Sequence, residues 1–188
     1  LTVSPAISYA LKIEGDKILQ IWVSENIQTQ LGYTSEEALL PDWWAGHIHP
    51  DDKKRAQANF LSLFETGTLD HQYRFLCKDG TVIWVQDQLR LVLDGSGKPK
   101  EVVGVWINIT DRKRAEEALR ESEQKHRSIL ESMDDAYYEL DLKGNLVFFN
   151  EALISKTGYS REELMGMNYR QYISPETRKK VAKEFSEI

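Results

Sequence analysis

Apolar and polar positions alternate along residues 7–13 (ISYALKI) and 18–24 (ILQIWVS). A period of two with many β-branched and aromatic residues is a strand signature. Glu14-Gly15-Asp16-Lys17 lies between the runs, so they read as a hairpin. The spacing then lengthens to three and four. Thr34-Ser35-Glu36-Glu37 sets hydroxyls ahead of acids, a helix start. His49-Pro50-Asp51-Asp52 is another, with proline suited to the first turn and acids suited to the positive end of the helix dipole. The pattern predicts a helix from about 51 to 65 that stops near Gly67, with Ala56, Phe60, Leu63 and Phe64 on one face. Alternation returns in 69–77, 81–93 and 101–109, separated by the tight turn Lys78-Asp79-Gly80 and the loop 94–99. Two strands, helices and three strands fit an α+β fold. One five-stranded antiparallel sheet with helices on one face is its economical form.

Residues 111–133 break this pattern. Acids and bases alternate without Gly or Pro, which predicts one helix of roughly 35 Å at 1.5 Å per residue. Ala115, Leu119, Ser122, His126, Ile129 and Met133 recur at steps of four and three. That is a heptad seam, weakened at Ser122 and His126 and suited to a homodimer. The first pattern then restarts. Residues 137–142, Lys143-Gly144-Asn145 and 146–150 predict a second hairpin. Leu31–Glu37 matches Thr157–Glu163, Ile48–Asp52 matches Ile173–Thr177, and Phe60 matches Phe185 at that second offset. Such repetition implies two copies of one domain. The expected division is a complete domain over 1–110, a connecting helix over 111–133 and the first half of a second domain over 134–188. Two strands cannot cover such a core, so the native chain is expected to continue past Ile188.

Composition narrows the function. The 188 residues carry a formal net charge of -6 and are 41% hydrophobic. That supports a packed core and argues against nucleic acid or anionic membrane as bulk partners. One cysteine, Cys77, cannot form a disulfide framework within the chain. Residues 1–10 lack the charged start of a signal peptide, and no apolar run approaches the ~20 residues of a membrane span. The expectation is a cytoplasmic segment, compatible with a membrane anchor elsewhere in the parent.

Several motifs now carry a family likeness. Gly32-Tyr33-Thr34-Ser35-Glu36-Glu37 resembles the "GYs-EE" element of PAS domains, and His49-Pro50-Asp51-Asp52 resembles their "HPDD" element. Tyr73-Arg74-Phe75, Lys78-Asp79-Gly80 and Trp84-Val85 resemble the paired strands that follow. Asn108-Ile109-Thr110-Asp111-Arg112-Lys113 resembles the closing "DIT-(E/D)RK" motif of the PAC segment. The likeness covers 7–113, and its first half recurs in 137–188. It implies a five-stranded sheet cupping short helices, and a sensory role in bacterial signal transduction. It also implies a downstream output domain such as a histidine kinase or diguanylate cyclase, with the signal passing through the helix after the motif. Asn108 replaces the usual aspartate, so an ion pair through that position is lost. Thr110 and Asp111 remain candidates for the helix N-cap, and all three residues are candidates for signal coupling.

No catalytic constellation stands out, so this segment is read as non-enzymatic. Cys77 sits at a strand end without the Asn-Cys-Arg-Phe motif of flavin-binding relatives, so flavin is not expected. The long helix lacks the histidine of haem-binding relatives, so haem is not expected either. The histidines are His47, His49, His71 and His126, and no group of residues has metal-ligand spacing. His49 is expected to support the Pro50 turn. His126 reads as a polar layer of the seam, with a charge switch between pH 5 and 8 as its sharper role. If Leu19, Ile21 and Val23 face inward, Trp22 faces out. By the same rule Ile83, Val85, Leu89 and Leu91 turn Trp84 out, and Val103, Val105 and Ile107 turn Trp106 out. Trp84 and Trp106 would then share an outer contact surface, either covered by the chain's own N-terminal segment or buried between copies. A ligand cavity is expected between sheet and long helix, with Phe60, Phe64, Tyr73, Phe75, Val85 and Val105 as candidate lining. Its cofactor is unknown and its occupant an unidentified small molecule; the bland alternative is a filled core. The functional expectation is a sensory relay module. The rival is a ligand-independent dimerisation scaffold in the same kind of protein.

Overall fold

A computed structural model describes residues 6–15 and 17–172. The expected matches at Ile173–Thr177 and Phe185 lie outside the described residues. The chain divides into two compact units between Glu116 and Glu117, inside its longest helix.

The first unit opens with the predicted hairpin, β1 (Ala6–Glu14) and β2 (Lys17–Val23). Short helices follow: α1 (Ile27–Leu31), α2 (Ser35–Ala38) and α3 (Trp43–His47). The 17-residue α4 (Pro50–Thr66) comes next. Then come β3 (Thr68–Leu76), β4 (Val82–Leu93) and β5 (Pro99–Asn108). The strands form one antiparallel sheet in the order β2-β1-β5-β4-β3.

The helix starts follow the local chemistry. Thr34 accepts a bond from the Glu37 backbone N–H while Glu37 reaches back to the Thr34 N–H, a complete capping box. His49 caps α4 by accepting from the Asp51 N–H at 3.3 Å, with Pro50 in the first turn. Gly67 closes α4 at φ 74°, a left-handed conformation that glycine adopts without steric cost.

The inner sheet face packs against α1–α4. Ile7, Tyr73, Phe75, Val85, Leu89 and Val102 form its centre with Ile27, Leu31 and Leu63 from the helices. Two predicted strand phases are corrected here. Along β5 the inward row is Val102, Gly104 and Trp106, while Val103 is 41% exposed. Both rows of this strand are apolar, so alternation alone cannot choose between them. Gly104 decides it, because the Tyr9 ring occupies the space where a Cβ would stand, 2.2 Å from its nearest atom. In β2 the register slips, so Ala10 pairs with Trp22 but Leu11 pairs with Gln20. This bulge exchanges the side chains on the two faces. Gln20, rather than Leu19, stands beside the inward Leu11.

Helix α5 (Thr110–Ser132) is 23 residues long and buries none of them. The second unit continues with β6 (Tyr138–Leu140), β7 (Leu146–Phe149), α6 (Glu151–Thr157), α7 (Arg161–Leu164) and α8 (Tyr169–Tyr172). Its two strands pair antiparallel over a small core of Leu146, Phe149, Leu153 and Leu164. Ser160 and Glu163 rebuild the capping box of Thr34 and Glu37. Asn150 is fully buried, caps α6, and donates to the carbonyls of Leu130 and Asp135. It thereby ties the last turn of α5 to the hairpin that follows.

Candidate functional site

A cavity of about 50 Å³ lies between the inner sheet face and the helices of the first unit. Its floor is Asp87 on β4, only 1% exposed. The Tyr9 hydroxyl donates to Asp87 Oδ1 at 2.6 Å and the Tyr73 hydroxyl donates to Oδ2 at 2.8 Å. Trp44 Nε1 donates to the Tyr73 oxygen at 2.8 Å. Burial, and next the Asp87 charge, push both tyrosine pKa values well above their ordinary range, so both phenols stay protonated as donors. Hydrogen bonds to a charged group contribute about 1.5–3 kcal/mol each, which helps offset the burial of a carboxylate.

His71, directly opposite Asp87 on β3, holds Nε2 3.5 Å from Oδ2. That is ion-pairing distance, yet neither ring nitrogen has a hydrogen-bond partner. At 3.5 Å without hydrogen-bond alignment, His71 is a neighbour of the carboxylate rather than its bonded partner. Trp106 Nε1 also lacks a formal partner, although the indole N–H lies near enough to Tyr9 and Tyr73 to favour their ionised forms slightly.

The cavity wall is aromatic, with Tyr9 and Trp106 on the sheet side, 5.3 Å between centroids, and Trp44 and Phe60 on the helix side, 5.6 Å apart. Leu11 and Gln20 complete it and are shared with an outer cleft of about 250 Å³. That cleft runs between β2 and the α2–α3 connection and carries Asp42, a non-glycine residue at φ 59°.

Of the residues expected to line the cavity, Phe60 does so. Tyr73 holds the floor, while Phe75 and Val85 are filled core and Phe64 packs edge-on against Phe60. Val105 is corrected: it belongs to the outer row of β5, opposite Ser8 and Gln88. Trp106 is corrected too, since it is 4% exposed and packs against Tyr9, Trp43 and Phe75. The missed residues are Asp87, Tyr9, Leu11, Trp44 and Gln20. Asp87 carried a signal, as the one charged residue in the inward series Val85, Asp87, Leu89.

A second set of contacts fastens the sheet to α5. The Trp84 N–H on β4 donates to Thr110 Oγ1 at 3.0 Å, and the Ile109 N–H donates to the Trp84 carbonyl at 2.9 Å. Asn108 Oδ1 accepts from both the Thr110 N–H at 2.9 Å and its hydroxyl at 2.6 Å. Asparagine therefore still anchors the helix start, through acceptor geometry instead of charge. The Thr110 hydroxyl is drawn across to β4. Asp111 is solvent-exposed and faces Arg114 at 3.7 Å.

Trp84 does point away from the inner face, and two cations flank its ring. They are Arg74, 5.7 Å from the centroid, and Lys113 of α5, at 5.4 Å. Arg74 is held in turn by Asp52 of α4, whose Oδ2 accepts from its backbone N–H and from Nε, both at 2.9 Å. The Arg74 guanidinium drives the Asp52 pKa well below the usual carboxylate range. A continuous series of contacts thus runs from the helix bearing Phe60, through Asp52, Arg74 and Trp84, to the first turn of α5.

The seam residues Leu119, Ser122, His126 and Ile129 are all exposed, Leu119 by 61% and Ile129 by 49%. Cys77 is buried, and burial raises its thiol pKa. Among the described residues no cluster of His, Cys, Asp and Glu could hold a metal ion, and no helix is long and apolar enough to cross a membrane.

The first unit is thus an α+β fold, a five-stranded antiparallel sheet packed on short helices around a polar-floored cavity and leading into a long helix. PAS-fold family models match the chain over residues 20–106 and again over 124–188, and the chain belongs to that family, with two PAS domains. It is 27% identical to the two-component sensor PprA of Pseudomonas aeruginosa over 92% of its own length, and 27% identical to the sensor protein FixL of Bradyrhizobium diazoefficiens over 85%. It spans 19% and 34% of those relatives. Among solved structures it resembles a sensory box histidine kinase/response regulator from Burkholderia thailandensis. The TM-score is 0.53 and the identity 29%, covering 66% of this chain and 92% of that one. The N-terminal domain of a diguanylate cyclase with PAS/PAC sensor from Marinobacter aquaeolei matches at TM-score 0.50 and 26% identity, over 57% of this chain and 98% of that one. These relationships give the chain a sensory role in signal transduction.

Proposed function

We propose that the first PAS domain senses a cue at its inner cavity and relays it through α5 to an output domain elsewhere in the parent protein. The single observation that carries this reading is the clamp at the exit of the sheet. Trp84, Asn108 and Thr110 join the end of β5 and the middle of the sheet to the first turn of α5. A shift of β4 relative to α4 then moves the helix with it, because packed elements rearrange as units. The relative named as a two-component sensor and the similar structure named as a sensory box histidine kinase/response regulator support a histidine kinase as the output. The test fuses residues 1–133 to a histidine-kinase core and uses Trp44→Phe, which removes the bond to Tyr73, as a surrogate cue. Autophosphorylation should change with Trp44→Phe and stop responding when Thr110→Val is added. A kinase indifferent to Trp44→Phe would refute the relay.

The scaffold reading draws on a different observation. Leu119 and Ile129 on α5, with Met133 just past its end, leave apolar side chains exposed, and Trp22 and Val103 stand exposed on the outer sheet face. Such surfaces suit self-association, and the relay itself uses a dimer. On this reading the homodimer forms through the exposed apolar side chains of α5, with Trp22 and Val103, rather than the buried Trp106, supplying any outer-face contact.

A further inference from the structure

The inner cavity has a chemistry that selects among ligands. Its floor is a carboxylate with no Lys or Arg ion-paired to it among the described residues, and the nearby His71 makes no hydrogen bond to it. Around that carboxylate stand four aromatic rings, Tyr9 and Trp106 from the sheet and Trp44 and Phe60 from the helices. A cation held among ring faces is attracted by their quadrupoles, and the attraction grows as water is excluded. A buried carboxylate is costly unless it is well paired, and His71 approaches Oδ2 only at 3.5 Å without a hydrogen bond. Two tyrosine donors leave Asp87 with acceptor capacity to spare, since each carboxylate oxygen offers two lone pairs.

The outer cleft adds a second constraint. It shares Leu11, Gln20 and Trp44 with the cavity, and its walls are mainly aliphatic, from Ile18, Leu19, Leu39 and Leu40. Its one charged lining residue is Asp42. No Lys, Arg or His lines either space among the described residues. The charged residues that line the two spaces among the described residues, Asp87 and Asp42, are both acidic. The inner space of about 50 Å³ suits a head of a few heavy atoms, and the outer space of about 250 Å³ suits a short chain.

Resting on the reading of this domain as the sensing one, we propose that the cavity binds a small alkylamine. The ammonium head sits on Asp87 inside the aromatic ring set, and the alkyl tail lies in the cleft between β2 and α3. Anions are excluded because they would face Asp87 and Asp42 without a basic partner. A neutral alcohol of equal length fills the cleft but gains neither the ionic nor the cation–π contact.

The test uses the whole chain and three probes of matched length at constant ionic strength: n-butylammonium chloride, 1-butanol and sodium butyrate. Trp44 and Trp106 line the site, so tryptophan fluorescence reports occupancy, and thermal unfolding gives an independent reading. Butylammonium should bind saturably below about 10 mM, with butanol and butyrate at least about tenfold weaker. Asp87→Asn should weaken butylammonium by about tenfold or more while leaving butanol unchanged. Leu11→Phe, which adds bulk at a residue lining both spaces, should weaken both butylammonium and butanol. Should Asp87→Asn fail to fold, the charge preference of the unaltered chain still decides. Butanol binding as tightly as butylammonium, butyrate binding more tightly, or no saturable butylammonium signal by about 10 mM would each overturn the assignment. Failure here with a fused kinase that still answers Trp44→Phe removes the ligand class alone. A silent kinase removes the relay.

Discussion

Replacing Asp52 by Asn tests the link between α4 and the sheet. Asp52 is 6% exposed and takes three hydrogen bonds from Arg74, at 2.9, 2.9 and 3.2 Å, with Arg55 also at 3.2 Å. The amide keeps an acceptor for the Arg74 N–H but loses the charge and turns an NH₂ toward a guanidinium. Breaking a fully buried pair costs about 3–5 kcal/mol. The Arg74 side chain is 29% exposed and remains partly solvated, so the expected loss is about 2 kcal/mol at pH 7. All five tryptophans lie in the first unit, at 22, 43, 44, 84 and 106, so urea unfolding followed by fluorescence reads that unit. With a slope near 2 kcal/mol/M the midpoint should fall by about 1 M. The pH dependence has a fixed sign. The folded-state pKa of Asp52 is depressed below its unfolded value near 4. Its contribution is therefore complete above the unfolded pKa and declines as pH falls toward the folded one. The gap between parent and Asp52→Asn should shrink by about 1 kcal/mol by pH 3. A gap under about 0.5 kcal/mol at pH 7, or one unchanged at pH 3, would refute the reasoning.

Two further outcomes follow from the packing. Gly104→Ala should destabilise the first unit by about 3 kcal/mol or more, because the new methyl would meet the Tyr9 ring at 2.2 Å; the fluorescence-detected urea midpoint checks it. Leu119→Ser with Ile129→Ser should abolish self-association in sedimentation velocity while leaving the unfolding free energy of the first unit within about 0.5 kcal/mol, since both residues are exposed on α5. Unchanged sedimentation would remove α5 as the dimer seam.

Local chemistry made much of this molecule readable from its residues. Thr34 and Ser160 each precede a Glu by three positions, and both build capping boxes. His49-Pro50 starts α4, Gly67 ends it, and the strand-helix-strand order fixes the sheet. These features depend on a few neighbouring residues, so sequence exposes them. The facing of β5 did not depend on neighbours alone. Val103, Val105 and Ile107 make as good an apolar row as Val102, Gly104 and Trp106, and the choice rests on the Tyr9 ring across the sheet. The slip between Ala10 and Leu11 has no local marker either, yet it sets Gln20 into the cavity wall. The site was therefore less legible than the fold. Phe60 and Tyr73 were found as apolar positions, whereas Asp87 was passed over although its charge fell on the core phase of β4. Trp84 points outward as the alternation requires, and what the alternation does not show is its place between Arg74 and Lys113 at the helix clamp.

Residue-resolved hydrogen exchange, comparing the unaltered chain with Trp44→Phe, addresses the transmission step most directly. The amides to watch are Thr110, bonded to Asn108, and Lys113, bonded to Ile109. Protection at both should change by at least about threefold, although neither residue touches the substituted ring. Changes confined to the cavity wall, with both α5 amides exchanging as before, would contradict the coupling of cup to helix.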